Sequence, residues 1–312
     1  MNRSLPLVRL FERRTRALRR HLAAAIAGKD TGVHQARVAS RRLREAIPVL
    51  TEGLWHTKRG KARRKIRRVT QALGTVRELD VTLHLIDELG ERPSVPRAAL
   101  AEVRALVIEE REQRRRVMLG RLDHIDTAKL NRRLESVRQT LMLPGPTHAW
   151  RSALAARVAR RGRRLERAIE HAGQIYAPEG LHEVRIAAKK LRYALEIADE
   201  SAAAPCAEAL RTIKRAQDAL GRLHDLQVLQ HHVAAVGAAP RNHRSTPDAG
   251  LAVLSRLIED DCRHLHGRYV AALPDLRQAV EVARRDVPVR LTAPKRSAKM
   301  TLAARRRRAS GG

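Results

Sequence analysis

The chain has 312 residues, with 64 Lys and Arg against 33 Asp and Glu and a formal net charge of +31. Its length allows a sizeable core, as one large domain or two of about 140 residues, and its charge suits phosphate-rich partners. No apolar run approaches the roughly 20 residues of a membrane span, the two cysteines have no metal-type spacing and read as free thiols in a reducing compartment, and 2% aromatic residues leave little for stacking on single-stranded nucleic acid.

Ala, Leu, Arg and Val dominate, which favours helices over strands. Helical periodicity runs almost throughout, punctuated by Gly and Pro. A first helix is expected over residues 5–27. The N-terminal stretch MNRSLPLVRLFERRTRALRR is basic and amphipathic but lacks the apolar region and cleavage site of a signal peptide. Helices follow over 31–51, 57–73, 75–90, 96–121 and 127–142, and Pro48 should end or kink the second. The segment LPGPTH at Leu143 to His148 reads as a hinge between halves. Beyond it, helices are expected over 148–172, 179–200, 205–220, 222–236, 249–272 and 274–286. A long polar loop, GAAPRNHRSTPDAG, occupies Gly237 to Gly250. No segment alternates with period two. The predicted fold class is all-α: two pseudo-repeated antiparallel bundles, residues 1–143 and 148–286, around a shared basic groove. Residues 287–312 lack an apolar face and read as a disordered basic tail. Eight basic and no acidic residues follow from Arg290 on, so most of the charge lies on the body. The run Arg305 to Arg308 is a weak signal for nucleic acid.

The fifteen residues VHQARVASRRLREAI at Val33 to Ile47 return as LHEVRIAAKKLRYAL at Leu181 to Leu195, with six identities. A second match follows each copy: ALGTVRELDV at Ala72 to Val81 and ALGRLHDLQV at Ala219 to Val228. On a helix with His34 at zero, Arg37, Arg41 and Arg44 fall at about 300°, 340° and 280°, while Ala36, Ala39, Leu43, Ala46, Ile47 and Leu50 fall between about 120° and 220°. The second copy sets His182, Arg185, Lys189 and Arg192 against Val184, Ala187, Leu191, Ala194 and Leu195. Each helix therefore carries an apolar face opposite a row of histidine and cations. Like charges three and four residues apart repel by a few tenths of a kcal/mol per pair. A solvated face is the usual explanation of a charge run, but such a face normally mixes in glutamate, and neither row does. The rows suit a polyanion.

The string H-x-x-R-[VI]-A-x-[RK]-[RK]-L-R, occurring twice and each time followed by an LG-x-x-x-[DE]-L-type helix, resembles the CHAD family of histidine-centred α-helical domains, over about residues 5–286. The resemblance implies an all-helical fold of two related bundles around a basic cavity, binding of inorganic polyphosphate, and association with polyphosphate bodies. Carried over by position, it implies His34, Arg37, Arg41, Arg42, Arg44, Arg67 and Arg68 as ligand-binding in the first half. In the second half it implies His182, Arg185, Lys189, Lys190, Arg192, Lys214 and Arg215. The second LG helix departs from the first, with His224 and Gln227 in place of Arg77 and Asp80. The family favours aspartate at the Gln227 position, so the departure bears on a helix-anchoring ion pair rather than on the ligand site.

Arginine presents a planar fork to phosphate oxygens and lysine a mobile point charge. Polyphosphate has no bases and needs no aromatics. Binding without catalysis is the expected function, in the cytoplasm and at polyphosphate granules, with no catalytic residue, metal, cofactor or membrane called for. The alternative is non-specific DNA or RNA binding through the same surface and the tail, since duplex binding is largely phosphate electrostatics. A metal-assisted phosphohydrolase is a third reading. It would use the acidic pairs Glu109-Glu110 and Glu259-Asp260, which more plausibly pair with arginines. His231-His232 and His264/His266 read as exposed histidines, and Ser40, beside the basic row, is Ala188 in the second copy.

Overall fold

The computed structural model describes residues 5–27, 29–54, 59–143, 149–201, 203–239 and 248–293. Among these the chain forms eleven α-helices and no strand. In chain order they are α1 (Leu5–Ile26), α2 (Asp30–Leu50), α3 (Arg59–Ala72), α4 (Gly74–Gly90), α5 (Arg97–Asp123), α6 (Thr127–Met142), α7 (Ala149–Ala172), α8 (Pro178–Glu200), α9 (Ala207–Ala238), α10 (Asp248–Ala271) and α11 (Leu273–Thr292). No helix among the described residues is long and apolar enough to cross a membrane.

Local chemistry sets several helix ends. Asp126 caps α6, its Oδ1 accepting the Lys129 N–H at 2.6 Å. Pro178 stands in the first turn of α8, where its missing N–H costs nothing, and Glu179 follows it at the positive end of the helix. α7 stops at Gly173, whose φ of +60° lies in the left-handed region and whose N–H reaches Ile169 O at 3.1 Å.

The apolar faces expected from periodicity are the buried ones. Ala36, Ala39, Leu43, Ala46, Ile47 and Leu50 of α2 are buried, as are Val184, Ala187, Leu191, Ala194 and Leu195 of α8. α1 lies along α2, α7 along α8 and α11, α9 along α10, and α4 along α5, while α2 also meets α7 and α8. Two apolar clusters result. The larger gathers α1–α3, the start of α4, the C-terminal ends of α5 and α10, α6–α8, the first part of α9 and α11 around Phe11, Leu43, Ile66, Leu191 and Tyr269. The smaller gathers α4, α5, the rest of α9 and α10 around Leu85, Leu89, Val103, Leu229 and Leu254. Both clusters draw on both halves of the chain.

Two expected boundaries move. The break between 220 and 222 does not occur: α9 runs unbroken from Ala207 to Ala238. One interior glycine costs about 1 kcal/mol, and the buried stripe Leu220, Leu223, Leu226, Leu229, Val233 and Val236 outweighs it. The equivalent break in the first half is real but small, since Leu73 N–H still reaches Val69 O at 3.1 Å before α4 starts at Gly74. At the other end, α11 continues through residues 287–292, which had read as tail. Val287 and Leu291 extend its buried stripe and Pro288 is accommodated in the helix. α2 runs only two residues past Pro48. Most of the hinge at 143–148, residues 240–247 of the long loop, and the tail from 294 with Arg305 to Arg308 lie outside the described residues.

α1 and α2 approach closely at Gly32, where a Cβ would lie 2.7 Å from Ala24 C and Ala25 N. Backbone cannot give way as a side chain can. Gly32→Ala should therefore lose about 1–3 kcal/mol in chemical denaturation. Gly120→Ala in α5, where a Cβ meets nothing within 4 Å, should gain up to about 1 kcal/mol. Equal effects of the two changes would contradict the close α1–α2 contact.

Candidate functional site

With one face of α2 and of α8 buried, the basic rows of the two helices occupy their remaining faces, and the helices touch. Arg37, Arg41, Arg185 and Lys189 thereby form one cluster drawn from both halves. Arg37 feels the charges of Arg41 and Arg185, and Arg185 feels that of Arg41. Lys189 feels Arg41, Arg185, Arg37 and Arg192. Burial, then these neighbours, push the Lys189 ammonium down to about 7. Burial and Arg41 push the Arg37 guanidinium down to about 10. Arg37 is nonetheless held, its Nη1 donating to Gly74 O. A Cβ at Gly74 would stand 3.0 Å from that Nη1, so the glycine of the first LG turn makes room for the motif arginine. The matching Gly221 lies beside Arg185 more loosely, with a Cβ position 3.9 Å from Nε.

The LG helices supply the neighbours of each row. Glu78 faces Arg37, and its counterpart Asp225 faces Arg185. Burial raises the Asp225 carboxyl, against the pull of Arg185, Arg77 and Arg222. Beside His34 stands Arg77, and beside His182 stands His224, their rings 4.8 Å apart. Burial, Arg77 and Arg37 lower the His34 pKa, with Asp80 opposing. Burial, Arg185 and Lys189 lower that of His182 and bring His224 to about 4. Sequence reasoning placed Arg77, Glu78, His224 and Asp225 on the helix after the motif but gave them no part in the site. Their recurrence at matching positions of both copies was the available signal. The Asp80/Gln227 exchange replaces an ion pair by a hydrogen bond. Asp80 pairs with Arg111 of α5 at 2.8 Å, whereas Gln227 Nε2 donates to Tyr176 Oη at 3.1 Å.

The other motif cations are placed less uniformly. Arg42 reaches across to Glu196 of α8, with Nε to Oε2 at 3.0 Å. Burial opposes its charge, but the bond to Glu196 outweighs it and raises the pKa. Arg192 lies 3.7 Å from the same carboxylate, and its Nε is buried without a hydrogen-bond partner among the described residues. Arg44 is half-buried near Arg63 and Arg67, whereas Arg67 and Arg68 are themselves exposed on α3. Arg68 lines a hollow with Arg121 and His124, on the α5 side of α3. Lys190 is half-buried, and its carbonyl accepts from Arg161 Nη1 at 2.6 Å. Lys214 and Arg215 are exposed on α9, the latter 3.4 Å from Thr212 Oγ1. Ser40, expected beside the row, is fully buried. Its hydroxyl donates to Arg37 O and accepts from Thr70 Oγ1, both at 2.9 Å.

Three residues of the acidic pairs meet arginines: Glu110 pairs with Arg114 at 2.5 Å, and Glu259 and Asp260 with Arg263 at 3.4 Å each. Among the described residues no group of three or more His, Cys, Asp or Glu is placed to hold a metal ion.

A family model described as "CHAD domain" matches residues 9–234. The crystal structure of the CHAD domain from the plant Ricinus communis superposes with a TM-score of 0.58 at 21% identity, covering 89% of this chain and 91% of that one. PptA from Streptomyces chartreusis superposes with a TM-score of 0.58 at 18% identity, covering 89% of this chain and 99% of that one. At these identities the two likenesses carry the fold. No curated protein matches the chain.

The crowding around Lys189 has a stability signature. Its folded pKa of about 7 lies below the ordinary 10.5, so between those values the unfolded chain binds more protons and stability from this group rises with pH. Lys189→Met should raise Tm at pH 7 and diminish the climb in Tm from pH 7 to pH 10 measured by calorimetry. An unchanged pH profile would mean that Lys189 is neither buried nor crowded by the other cations.

Proposed function

The chain belongs to the CHAD domain family, and on that premise we propose that it binds inorganic polyphosphate in a basic groove along α2 and α8, without chemical change to the ligand. Family membership fits polyphosphate association. The observation that carries the reading is Lys189, a half-buried ammonium among Arg37, Arg41, Arg185 and Arg192. Among the described residues Glu78 and Asp225 face Arg37 and Arg185, and Glu196 near Arg192 is shared with Arg42, which is too little negative charge to neutralise that group. A chain of phosphates supplies the missing negative charge, about one per internal residue, and its oxygens match guanidinium forks already fixed on helices. Arg37 on Gly74 O and the Glu78 and Asp225 neighbours hold the donors in place before the ligand arrives. His34 and His182 sit at the ends of the rows and add charge when protonated. At the opposite end of the α2 row Arg44 and Arg67 extend the basic path, while Arg42 ties α2 to α8 through Glu196. Association with polyphosphate granules follows from the same reading.

Replacing Arg37 and Arg185 together by Gln should weaken long-chain polyphosphate binding by at least about tenfold, since each charged hydrogen bond contributes about 1.5–3 kcal/mol. Tm should hold or rise as like-charge repulsion is relieved. Binding that survives the double change would sink the groove. Released orthophosphate, with or without magnesium, would establish turnover. Duplex DNA that competes equally at matched phosphate concentration and physiological salt would favour a general nucleic-acid binder instead.

Bound polyanion favours the charged forms of Lys189, His34 and His182, so their pKa values rise on binding. Affinity should therefore climb as pH falls from about 8 to about 6. Lys189→Gln should remove most of the upper part of that climb, and His34→Ala with His182→Ala the lower part. A profile indifferent to all three changes would detach these residues from the ligand.

A further inference from the structure

The His182–His224 pair has a second neighbour besides the cations. A cavity of about 790 Å³ opens beside it, walled by α8, α9, α10 and the segment that joins α7 to α8. That volume lies within the range of small-molecule sites. Tyr176, Val228 and Cys262 give it a mainly apolar wall. Tyr176 is held by its hydrogen bond from Gln227 and by its edge contact with His266, ring centroids 5.4 Å apart.

The charges on this wall run opposite to those of the cluster. Glu179, Glu183 and Glu259 line it, and its arginine, Arg263, is already shared between Glu259 and Asp260. Inorganic phosphate has nothing to gain from apolar surface and is repelled by carboxylates. A planar base with N–H donors on its edge gains from both. His182 belongs to the cavity and to the basic row at once. Arg185 and Lys189 follow it along α8 at three and seven residues, so the cations begin about one helical turn from the cavity and end roughly 10 Å away. A ribose and three phosphates cover that span.

We propose that this cavity seats the base of a purine nucleoside triphosphate, with Tyr176 and the His182–His224 pair against its faces, Glu183 and Glu259 accepting from its N–H groups, and its phosphates on Arg185 and Lys189. The proposal rests on the phosphate-binding reading of the cluster and adds a ligand class that the basic row alone would not select. Tripolyphosphate carries more charge than ATP and presents the same three phosphates, so electrostatics alone ranks it first.

Isothermal titration of the full chain with ATP, and separately with tripolyphosphate, in magnesium-free buffer at physiological salt separates the two contributions. ATP should bind about tenfold tighter, the scale of one base stacked on aromatic rings. Tyr176→Ala, and independently Val228→Trp, which fills the cavity, should each abolish that preference and leave tripolyphosphate affinity unchanged. The unchanged tripolyphosphate affinity also reports that each variant has folded. Tripolyphosphate binding as tightly as ATP in the unaltered chain overturns the proposal and leaves the polyphosphate reading standing. An ATP preference that survives both changes overturns it as well. Failure of both ligands to bind overturns the nucleotide proposal, and titration of the same chain with long-chain polyphosphate then decides the polyphosphate reading separately.

Discussion

Arg37, Arg41, Arg185 and Lys189 repel one another, and apolar packing behind them keeps them together. Leu43, Ile47, Leu191 and Leu195 are fully buried on the opposite faces of α2 and α8. Each such side chain contributes roughly 1.5–3 kcal/mol. Repulsion between exposed like charges is only a few tenths of a kcal/mol per pair, though it grows as water is excluded. The core therefore outweighs the cluster, and the fold can keep cations crowded without a ligand. Burial, and then the crowding, is recorded mainly in Lys189, because an ammonium can release its proton near neutrality whereas a guanidinium retains its own.

The carboxylates are distributed consistently with that role. Glu45 takes Arg157 and Arg161 of α7, Glu196 takes Arg42 with Arg192 nearby, and Glu200 takes Arg13 and Arg14 of α1. Arg14, almost wholly buried, also donates to Arg42 O at 2.8 Å. These contacts fasten α1, α2, α7 and α8 at the flanks of the cluster. Among the described residues, Glu78 and Asp225 stand beside Arg37 and Arg185, enough to orient them and too few to neutralise the cluster. The protein thus spends its acids on geometry and leaves an excess of positive charge at one place.

Much of this was legible in the sequence. Periodicity placed the helices within a few residues, because each has a clear apolar stripe, and the repeated motif identified both basic rows. Their meeting was an inference there; in the structure it follows from the contact of α2 with α8. The unbroken α9 was missed because glycine is locally unfavourable in a helix, and only the tertiary burial of Leu220 and Leu223 overrides it. Arg42 and Arg41 are adjacent and chemically alike, yet Arg42 engages Glu196 from the far half while Arg41 joins the cluster. Sequence spacing cannot make that distinction, since the partner lies 154 residues away. The cavity beside His182 was equally invisible, being assembled from α8, α9, α10 and Tyr176.

In the proposed binding, a polyanion would take over the compensation that acidic side chains do not supply, and Lys189 would regain its proton. Calorimetric titration with long-chain polyphosphate at pH 8, repeated in buffers of different ionisation enthalpy, measures that proton directly. With Lys189 near 7 in the free chain, the account predicts net uptake approaching one proton per site, and clearly less in Lys189→Gln. Binding with no proton uptake, or with the same uptake in the variant, would contradict it.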